Sequence, residues 1–263
     1  LIMIILQQLN LARSIYTLGE TATLNIRGNY IGVDSAGLNA LGNNHGIYLN
    51  RSAGSQITNN VVSGQRGYGI ILYYSANNTV TGNIAGLDKD GLSIIANRQC
   101  GLWIAKTSAT ASAIGNTVGG TTSATRNLFS GNGNCGVLIE DVLQSNTLIG
   151  NYIGTDMSGN LAAPNTLGGV IINDAANTIV GGTGAGEGNV ISGNTGIGVG
   201  ISRADSSNIQ VMGNLIGRNA GNTAALGNGG SGVSIYDNAV DNTIGGRGAG
   251  EGNRKCRLWR QRN

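Results

Sequence analysis

The sequence has few charged side chains, few aromatic rings and almost no proline. Its 263 residues include one proline, one histidine and three cysteines, and only 11% of them are charged and 4% aromatic. Such a low charge excludes the highly charged class of disordered chains. The 46 glycines follow no Gly-x-y period, so a collagen-like chain is excluded as well. With a single histidine and no Cys-x-x-Cys pair, we expect no metal site of the zinc type.

Long hydrophobic runs are also missing. The run that opens the chain has six apolar residues, far fewer than the roughly 20 that a membrane-spanning helix needs. That opening has neither the charged start nor the small-residue cleavage site of a signal peptide. We interpret residues 1–20 as an N-terminal cap over the repeat, or as a remnant of one, and expect no membrane partner.

The net positive charge comes from one end of the chain. The formal net charge of +3 includes five cations in the last ten residues, Arg254, Lys255, Arg257, Arg260 and Arg262. We interpret residues 254–263 as a basic tail outside the repeat, a non-native segment being one explanation. A nucleic-acid patch is the other reading, but the rest of the chain shows no basic face to match it. We therefore predict no nucleic-acid partner.

One ten-residue pattern occurs four times. "GNYIGVDSAG" starts at residue 28, and related stretches start at residues 82, 150 and 213. Repetition at such a period is typical of stacked architectures. One turn position of the pattern holds Asp34, Asp88, Asp156 and Asn219. Side chains of this type bond their own backbone in turns, which predicts a structural role, with calcium binding left open.

A second pattern predicts strands. Seven glycines are each followed by alternating aliphatic residues, and we call them the anchor glycines: Gly46, Gly69, Gly101, Gly136, Gly169, Gly198 and Gly232. The first and third residues after each of them are Ile, Leu or Val. Alternation places these two side chains on the same face of a strand, so that face is the predicted core.

Further short apolar runs separated by Gly/Asn turns complete about three strands per coil. The pattern therefore predicts an all-β, single-stranded, right-handed parallel β-helix of about seven to eight coils over residues 21–253. Stacked turns predict an asparagine ladder through Asn29, Asn83, Asn151 and Asn214. A β-sandwich, the competing fold, would show hairpin pairs 8–12 residues apart without an anchor every 30 residues or so.

With these repeats, the chain resembles the pectate-lyase-like superfamily of right-handed β-helices, especially its tandem parallel-β-helix-repeat members. The resemblance covers about residues 21–253 and rests on the repeated pattern. It implies a long saccharide bound along one exterior sheet face, in lyases, glycoside hydrolases or epimerases, or else a surface or adhesive protein. The "NTD…DD…GHG…RxK" set of the polygalacturonase branch is missing. The single histidine, His45, lies in a turn.

Outward positions of the anchor strands provide a candidate site. Aromatic faces stack on sugars and carboxylates perform acid–base chemistry. We predict three catalytic residues, Glu140, Asp141 and Asp174. We predict five substrate-binding residues, Tyr73, Tyr74, Trp103, Lys106 and Arg203. A solvated face with ordinary charge pairs is the simpler interpretation of the same residues.

The sequence thus favours a carbohydrate-active, extracellular or cell-surface protein, expected to be a monomer, that hydrolyses a polysaccharide. A non-catalytic adhesive repeat is the first alternative. A polysaccharide lyase with Lys106 or Arg203 as base is the second. No cofactor is required, although calcium is an option. Cys100 and Cys135 each precede an anchor glycine and should stack, either as a disulfide or as free thiols.

Overall fold

The computed structural model describes residues 2–4, 14–17, 23–106 and 112–255. These residues form strands, turns and connecting loops, with no helix among them, so no helix here could cross a membrane. Every strand pairs in parallel with the strand one coil before or after it in three sheets. The predicted right-handed parallel β-helix is confirmed.

Sheets A, B and C are named in the order in which each complete coil visits them. Sheet A contains β1 (Ile2–Ile4), β3 (Leu24–Arg27), β6 (Gln56–Thr58), β9 (Thr79–Thr81), β12 (Thr117–Gly119), β15 (Thr147–Ile149), β18 (Ile179–Gly181), β21 (Gln210–Met212) and β24 (Thr243–Ile244). Sheet B contains β4 (Tyr30–Ile31), β7 (Val61–Val62), β10 (Ile84–Ala85), β13 (Leu128–Phe129), β16 (Tyr152–Ile153), β19 (Val190–Ile191), β22 (Leu215–Ile216) and β25 (Arg254–Lys255). Sheet C contains β2 (Ile15–Tyr16), β5 (Ile47–Asn50), β8 (Ile70–Tyr73), β11 (Leu102–Ala105), β14 (Cys135–Val142), β17 (Gly168–Ala175), β20 (Ile197–Ser202) and β23 (Val233–Tyr236).

Within the described residues, seven coils are complete, from β3–β4–β5 to β21–β22–β23. This agrees with the predicted seven to eight. At the ends, β1 and β2 pair with the first complete coil, and β25 carries sheet B through Arg254 and Lys255. The predicted divisions at residues 20 and 253 stay a prediction. Residues 256–263 of the basic tail lie outside the described residues.

The core is a column of aliphatic side chains inside the coils. The first and third residues after each of the first six anchor glycines are fully buried; Ile47 and Leu49 are 0% exposed. Removing such side chains from water contributes about 25 cal/mol per Å² of apolar surface. In the last complete coil Ile235 is 44% exposed, since no described strand of sheet C lies beyond β23.

A buried asparagine ladder runs the length of the described solenoid between sheets A and B. Each side-chain Nδ2 donates to Oδ1 of the next asparagine at 2.9–3.0 Å, and the ladder has eight members: Asn29, Asn60, Asn83, Asn127, Asn151, Asn189, Asn214 and Asn253. The four predicted members are therefore confirmed. The other four come from the alternate coils, so the ladder has one rung per coil.

A shorter ladder follows sheet B, at the turn that leads to sheet C. Its five members are Asn97, Asn132, Asn165, Asn194 and Asn228, bonded in the same way at 2.9–3.0 Å. Gln65 precedes them, and its backbone N–H donates to Asn97 Oδ1. Two ladders thus satisfy the polar groups of tight turns that would otherwise be buried without partners.

The four loops that follow the repeated "GN" strands fold back over the outer face of sheet B. Val33, Leu87 and Ala163 of these loops pack in one buried cluster with the outward-facing Ile84 and Leu128. Each loop is closed by its Asp or Asn. For example, Asp156 Oδ1 accepts the backbone N–H groups of Asn160 and Leu161 at 3.1 Å. The fourth loop does the same with Asn219.

Candidate functional site

The outer face of sheet C carries a continuous aromatic patch. It comprises Tyr16, His45, Tyr48, Tyr68, Tyr73, Tyr74 and Trp103. The Tyr68 and Trp103 rings stack with centroids 4.8 Å apart, and Tyr16 and Tyr48 stack at 4.7 Å. Tyr73 joins the two halves, with its centroid 6.1 Å from both Tyr48 and Trp103. Parallel register explains the row, because Tyr48, Ile71 and Trp103 are directly paired.

A row of left-handed backbone positions borders the patch. The fifth residue after every anchor glycine has a φ between 46° and 75°, and none of them is glycine: Arg51, Tyr74, Lys106, Asp141, Asp174, Arg203 and Asp237. We call this set the corner row. Left-handed φ is uncommon for such residues. It interrupts the strand alternation, so the fourth and fifth residues after the glycine both face outward and the charged side chains collect at one edge.

Ion pairs connect the corner row beside the patch. Lys106 Nζ forms an ion pair with Asp141 Oδ2. Arg203 Nη1 lies 3.1 Å from Asp174 Oδ2 and 3.7 Å from Glu140 Oε1. All five side chains remain part-exposed, between 25% and 50%. Surface pairs of this kind stabilise a fold by at most about 1 kcal/mol each, so they contribute little to the stability of the solenoid.

The ion pairs also fix the charge of the two cations. A hydrogen bond to Asp141 raises the pKa of Lys106, and a hydrogen bond to Asp174 raises the pKa of Arg203. Both side chains therefore stay protonated at neutral pH. Within the patch, burial raises the pKa of Tyr68 and Tyr73 and lowers that of His45. The lowered pKa favours the neutral form of the histidine at neutral pH, and its Nδ1 accepts the backbone N–H of Tyr68 at 3.2 Å.

Cys100 and Cys135 form a disulfide between neighbouring coils, with their Cα atoms 4.5 Å apart. Of the two states that the sequence left open, the structure has the bonded one. The disulfide lies outside the coil with Ile171, and the side chains of Tyr68 and Ile197 pack against this small cluster. The cluster explains why Ile171, which points outward from sheet C, is nevertheless buried. Ile71 also points outward and is buried, and its register partners on either side are Tyr48 and Trp103.

All eight predicted site residues lie along one edge of sheet C. Tyr73, Tyr74 and Trp103 belong to the aromatic patch, whereas Lys106, Glu140, Asp141, Asp174 and Arg203 form the ion pairs. Their catalytic and binding roles stay predictions. Four patch members were missed as site residues: Tyr16, His45, Tyr48 and Tyr68. Tyr68 and His45 each stand immediately before an anchor glycine, as both cysteines do, so that position was the signal that could have found them.

The described part of the chain contains no cluster of ligands for calcium or another metal ion. No group of three or more His, Cys, Asp or Glu side chains is placed to hold an ion there. The loop aspartates use their oxygens on their own turns, as in Asp34 Oδ1, which accepts the backbone N–H groups of Leu38 and Asn39. The turn interpretation of these residues is thereby supported.

Comparison with known proteins identifies the family. The family model described as "Periplasmic copper-binding protein (NosD)" matches residues 20–158, just over half of the chain. The chain belongs to the NosD family. This is a family of parallel β-helix proteins, which confirms the resemblance inferred from the repeats. In this NosD-family chain, the matched residues include every member of the aromatic patch except Tyr16. They also include Lys106, Glu140 and Asp141.

Two other comparisons add little. A search of curated proteins finds no match. Among solved structures, one that is similar is the 2.0 Å crystal structure of HetL, a pentapeptide repeat protein involved in heterocyst differentiation regulation from the cyanobacterium Nostoc sp.. It is 13% identical, over 70% of this chain and 84% of that chain, with a TM-score of 0.15. A likeness of this degree supports no inference about the NosD-family chain.

Proposed function

We propose that this protein binds a polysaccharide along the outer face of sheet C. The single observation that supports the proposal most strongly is the continuous aromatic patch beside the charged corner row. Aromatic rings provide flat apolar surfaces with polar edges, which suits the faces of sugar rings. Successive coils lie about 4.8 Å apart, so the patch extends along the solenoid axis, as a chain-like ligand requires.

The position of each ring within the patch indicates which rings a ligand can reach. Tyr73 and Tyr74 are half-buried and stand at the edge beside Lys106 and Asp141. Trp103 is half-buried under Tyr68, and its Nε1 atom has no hydrogen-bond partner. A sugar hydroxyl would be a suitable acceptor for that donor if Tyr68 moves aside. The two tyrosines at the edge are therefore the better positions for a binding test.

The test compares polysaccharide binding by the protein with binding by Tyr73→Ala and Tyr74→Ala variants. Affinity electrophoresis against a panel of neutral and acidic polysaccharides gives the dissociation constants. We expect each variant to bind about two- to tenfold more weakly. Tyr236→Ala is the matched control, because Tyr236 occupies the same strand position as Tyr73 but lies in the last complete coil. Equal loss in all three variants, or no binding by the unaltered protein, contradicts the proposal.

Glycosidic hydrolysis is the second candidate, favoured by the arginine that Glu140 and Asp174 share. Since one Arg203 Nη1 atom contacts both carboxylates, their oxygens are separated by less than the sum of the 3.1 and 3.7 Å distances. Retaining glycosidases hold their two carboxyl groups about 5–5.5 Å apart, which lies within that limit. Reducing-sugar release by the protein, lost in Glu140→Gln and Asp174→Asn but kept in Asp237→Asn, would support it.

The matched control for hydrolysis, Asp237, occupies the same corner-row position as Asp174 but forms no ion pair with a described residue. No release from any polysaccharide would leave the non-catalytic, adhesive alternative as the better description. The lyase alternative is weakened by the raised pKa values of Lys106 and Arg203, since a protonated base cannot abstract the sugar proton.

The family description names copper, and the donor chemistry of the described residues does not fit that metal. Copper sites use imidazole and soft sulfur ligands. Here the one histidine, His45, uses Nδ1 on the backbone, and Cys100 and Cys135 are bonded to each other. The histidine and the two bonded cysteines are therefore not available as a copper site.

We propose an extracytoplasmic location, which the family description as periplasmic supports. A disulfide buried between two coils suits an oxidising compartment, because cytosolic thiols are kept reduced. We also expect the protein to be a monomer. The polysaccharide and the absence of nucleic-acid or membrane partners remain predictions.

A further inference from the structure

A second candidate site lies away from sheet C, on the outer face of sheet B. A cavity of about 220 Å³ opens there between the turn at residues 120–126 and the loop at residues 155–162. Its apolar walls include Ile84, Leu128 and Met157. The volume is below the roughly 300–1,000 Å³ of sites for drug-sized ligands, so the cavity suits a single small ring.

One wall of the cavity carries an arginine with unused donors. The guanidinium carbon of Arg126 lies 3.9 Å from the centroid of the Tyr152 ring, and Nε donates to the carbonyl oxygen of Gly150 at 3.2 Å. These two contacts fix the plane of the guanidinium. Its terminal nitrogens have no protein partner and no acidic neighbour among the described residues, and they are not sealed from solvent.

The fold does not need an arginine at this position. Three turns of the same shape precede the asparagine ladder in alternate coils, "GGTTSATRN" at 119–127, "GGTGAGEGN" at 181–189 and "GGRGAGEGN" at 245–253. The first is closed by a hydroxyl, Thr125 Oγ1, and the other two by Glu187 and Glu251. The residue before the ladder asparagine is Arg126 in one turn and Gly188 or Gly252 in the others. Of the three turns, only the first therefore carries a cationic side chain immediately before its ladder asparagine.

The side-chain amide of Asn59, which belongs to an earlier coil, lies at the rim of the cavity. Asn59 is exposed at a left-handed φ of 56°, and its side-chain amide makes no hydrogen bond with a described residue. The amide packs over Gly82, where a Cβ would collide with Asn59 Oδ1. Cationic donors on one wall, a free amide at the rim and apolar walls between them are the features of a site for a small polar ring.

We propose that this cavity binds a carboxylate carried on a six-membered ring, the carboxylate paired with Arg126 and the ring against Ile84, Leu128 and Met157. A guanidinium presents two parallel N–H donors that match a carboxylate, and such charge-assisted pairs are the strong class of hydrogen bond. A sugar acid and an aromatic acid share this chemistry. The site is independent of the polysaccharide face on sheet C, so either proposal can fail without the other.

The experiment is a ligand-observed NMR titration of the whole protein with galacturonate and with benzoate, using galactose and benzyl alcohol as neutral analogues. We expect at least one of the two acids to bind, and to bind more tightly than its neutral analogue. Binding of galacturonate alone identifies a sugar acid that uses Asn59, and binding of benzoate alone identifies an aromatic acid. Binding of neither acid, or equal binding of an acid and its neutral analogue, overturns the proposal.

Variants locate the binding. Arg126→Gln should weaken binding of the acid by about tenfold or more, whereas Arg66→Gln, a change at an exposed arginine on another turn, should leave it unchanged. Because Arg126 packs on Tyr152, its replacement could disturb the fold. Ala124→Trp, at the exposed mouth of the cavity, keeps the arginine and should block the site. Undiminished binding in both the Arg126 and the Ala124 variants overturns the assignment to this cavity.

Discussion

At the scale of single residues, the asparagines and aspartates of the turns hold the coils in register. A ladder asparagine such as Asn151 serves both neighbouring coils. Its Oδ1 accepts from the side chain and the backbone of Asn127, and its Nδ2 donates to Asn189 and to the carbonyl oxygen of Val118. All of these groups are buried away from water, so each of them would lack a hydrogen-bond partner without the ladder.

Asn151→Ala tests the ladder. The change leaves two buried donors of Asn127 without an acceptor, and each unsatisfied group costs about 1–3 kcal/mol. We expect the free energy of unfolding to fall by about 2–4 kcal/mol, measured by urea denaturation followed by circular dichroism. The control is Asn44→Ala, because Asn44 is exposed and its side chain makes no hydrogen bond with a described residue. A midpoint for Asn151→Ala equal to that of the control contradicts the interpretation.

The loop aspartates connect stability with pH. The side-chain amide of Asn39 and the backbone N–H of Leu38 lower the pKa of Asp34. Burial acts to raise the pKa of Asp88, but the N–H groups of Leu92 and Ser93 prevail and lower it. A lowered pKa in the folded state means that the unfolded chain takes up the proton more readily. The resulting stability is complete above the ordinary aspartate pKa and is lost as the pH falls through the lowered value.

We therefore expect the melting temperature to fall steeply below about pH 4, and to fall less in an Asp34→Asn/Asp88→Asn variant. Asparagine keeps the acceptor oxygen without binding a proton, as Asn219 already does in the fourth loop. Melting curves from pH 7 down to about pH 2 make the comparison. Asp205→Asn, at an exposed carboxylate without an ion pair to described residues, should follow the unaltered protein. Parallel acid profiles for all three proteins would refute the assignment.

At the scale of the strand, each element is too short to be stable alone. Strands of two to eight residues form no independent hairpins here, and each gains its hydrogen bonds from the coils on either side. The disulfide supplements these contacts in the middle of the described solenoid, where it joins Cys100, two residues before β11, to Cys135, the first residue of β14. It spans 35 residues of sequence, about one coil with its long loop.

Removal of the disulfide should therefore be costly. Closing a loop of that length lowers the entropy of the unfolded chain, which stabilises the folded state by about 3–4 kcal/mol. We expect a Cys100→Ser/Cys135→Ser variant to melt at a lower temperature than the oxidised protein, measured by calorimetry. Reductant should lower the melting temperature of the unaltered protein and leave that of the variant unchanged. A reductant effect of the same size in both would place the sensitivity elsewhere.

The strands of sheet C and the ladder between sheets A and B could be predicted from sequence because they follow fixed spacings. Alternation after an anchor glycine determines which side chains face inward, and repeated Gly-Asn pairs mark the turns. The left-handed backbone of the corner row could not be predicted, since its members share that conformation but no residue type. Arg51, Lys106 and Arg203 give no local signal for a left-handed φ. The ion pairs depend on those positions. The sequence therefore predicted that these charged residues lie near one another, but not which of them form pairs.

At the scale of the whole molecule, stability is distributed along a column in which each coil contacts only its neighbours. The middle coils are covered on both sides, and Val137 and Val170 are fully buried there. In the last complete coil, Val233 is half-buried and Ile235 is 44% exposed. Such a gradient implies that local opening is easiest near this end of the described residues.

Amide hydrogen exchange should report this gradient. We expect the backbone N–H groups of β23 and β24 to exchange faster than those of β14 and β17, because fewer packed side chains oppose local opening. Mass spectrometry of peptides from deuterated protein measures the difference. The same peptides from urea-denatured protein provide the reference for unprotected exchange. Uniform protection from the first complete coil to the last would contradict a nearest-neighbour description of the solenoid.

The eight-rung ladder also gives the molecule a polarity. Every side-chain carbonyl in it points toward the preceding coil and every donated N–H points toward the next, so the amide dipoles add along the axis instead of cancelling. Two such columns can be joined head to tail without breaking the sequence of donors and acceptors. Head to head, acceptor would meet acceptor. Any lengthening of this solenoid, by duplication of coils or by fusion of copies, must therefore keep all coils in one direction.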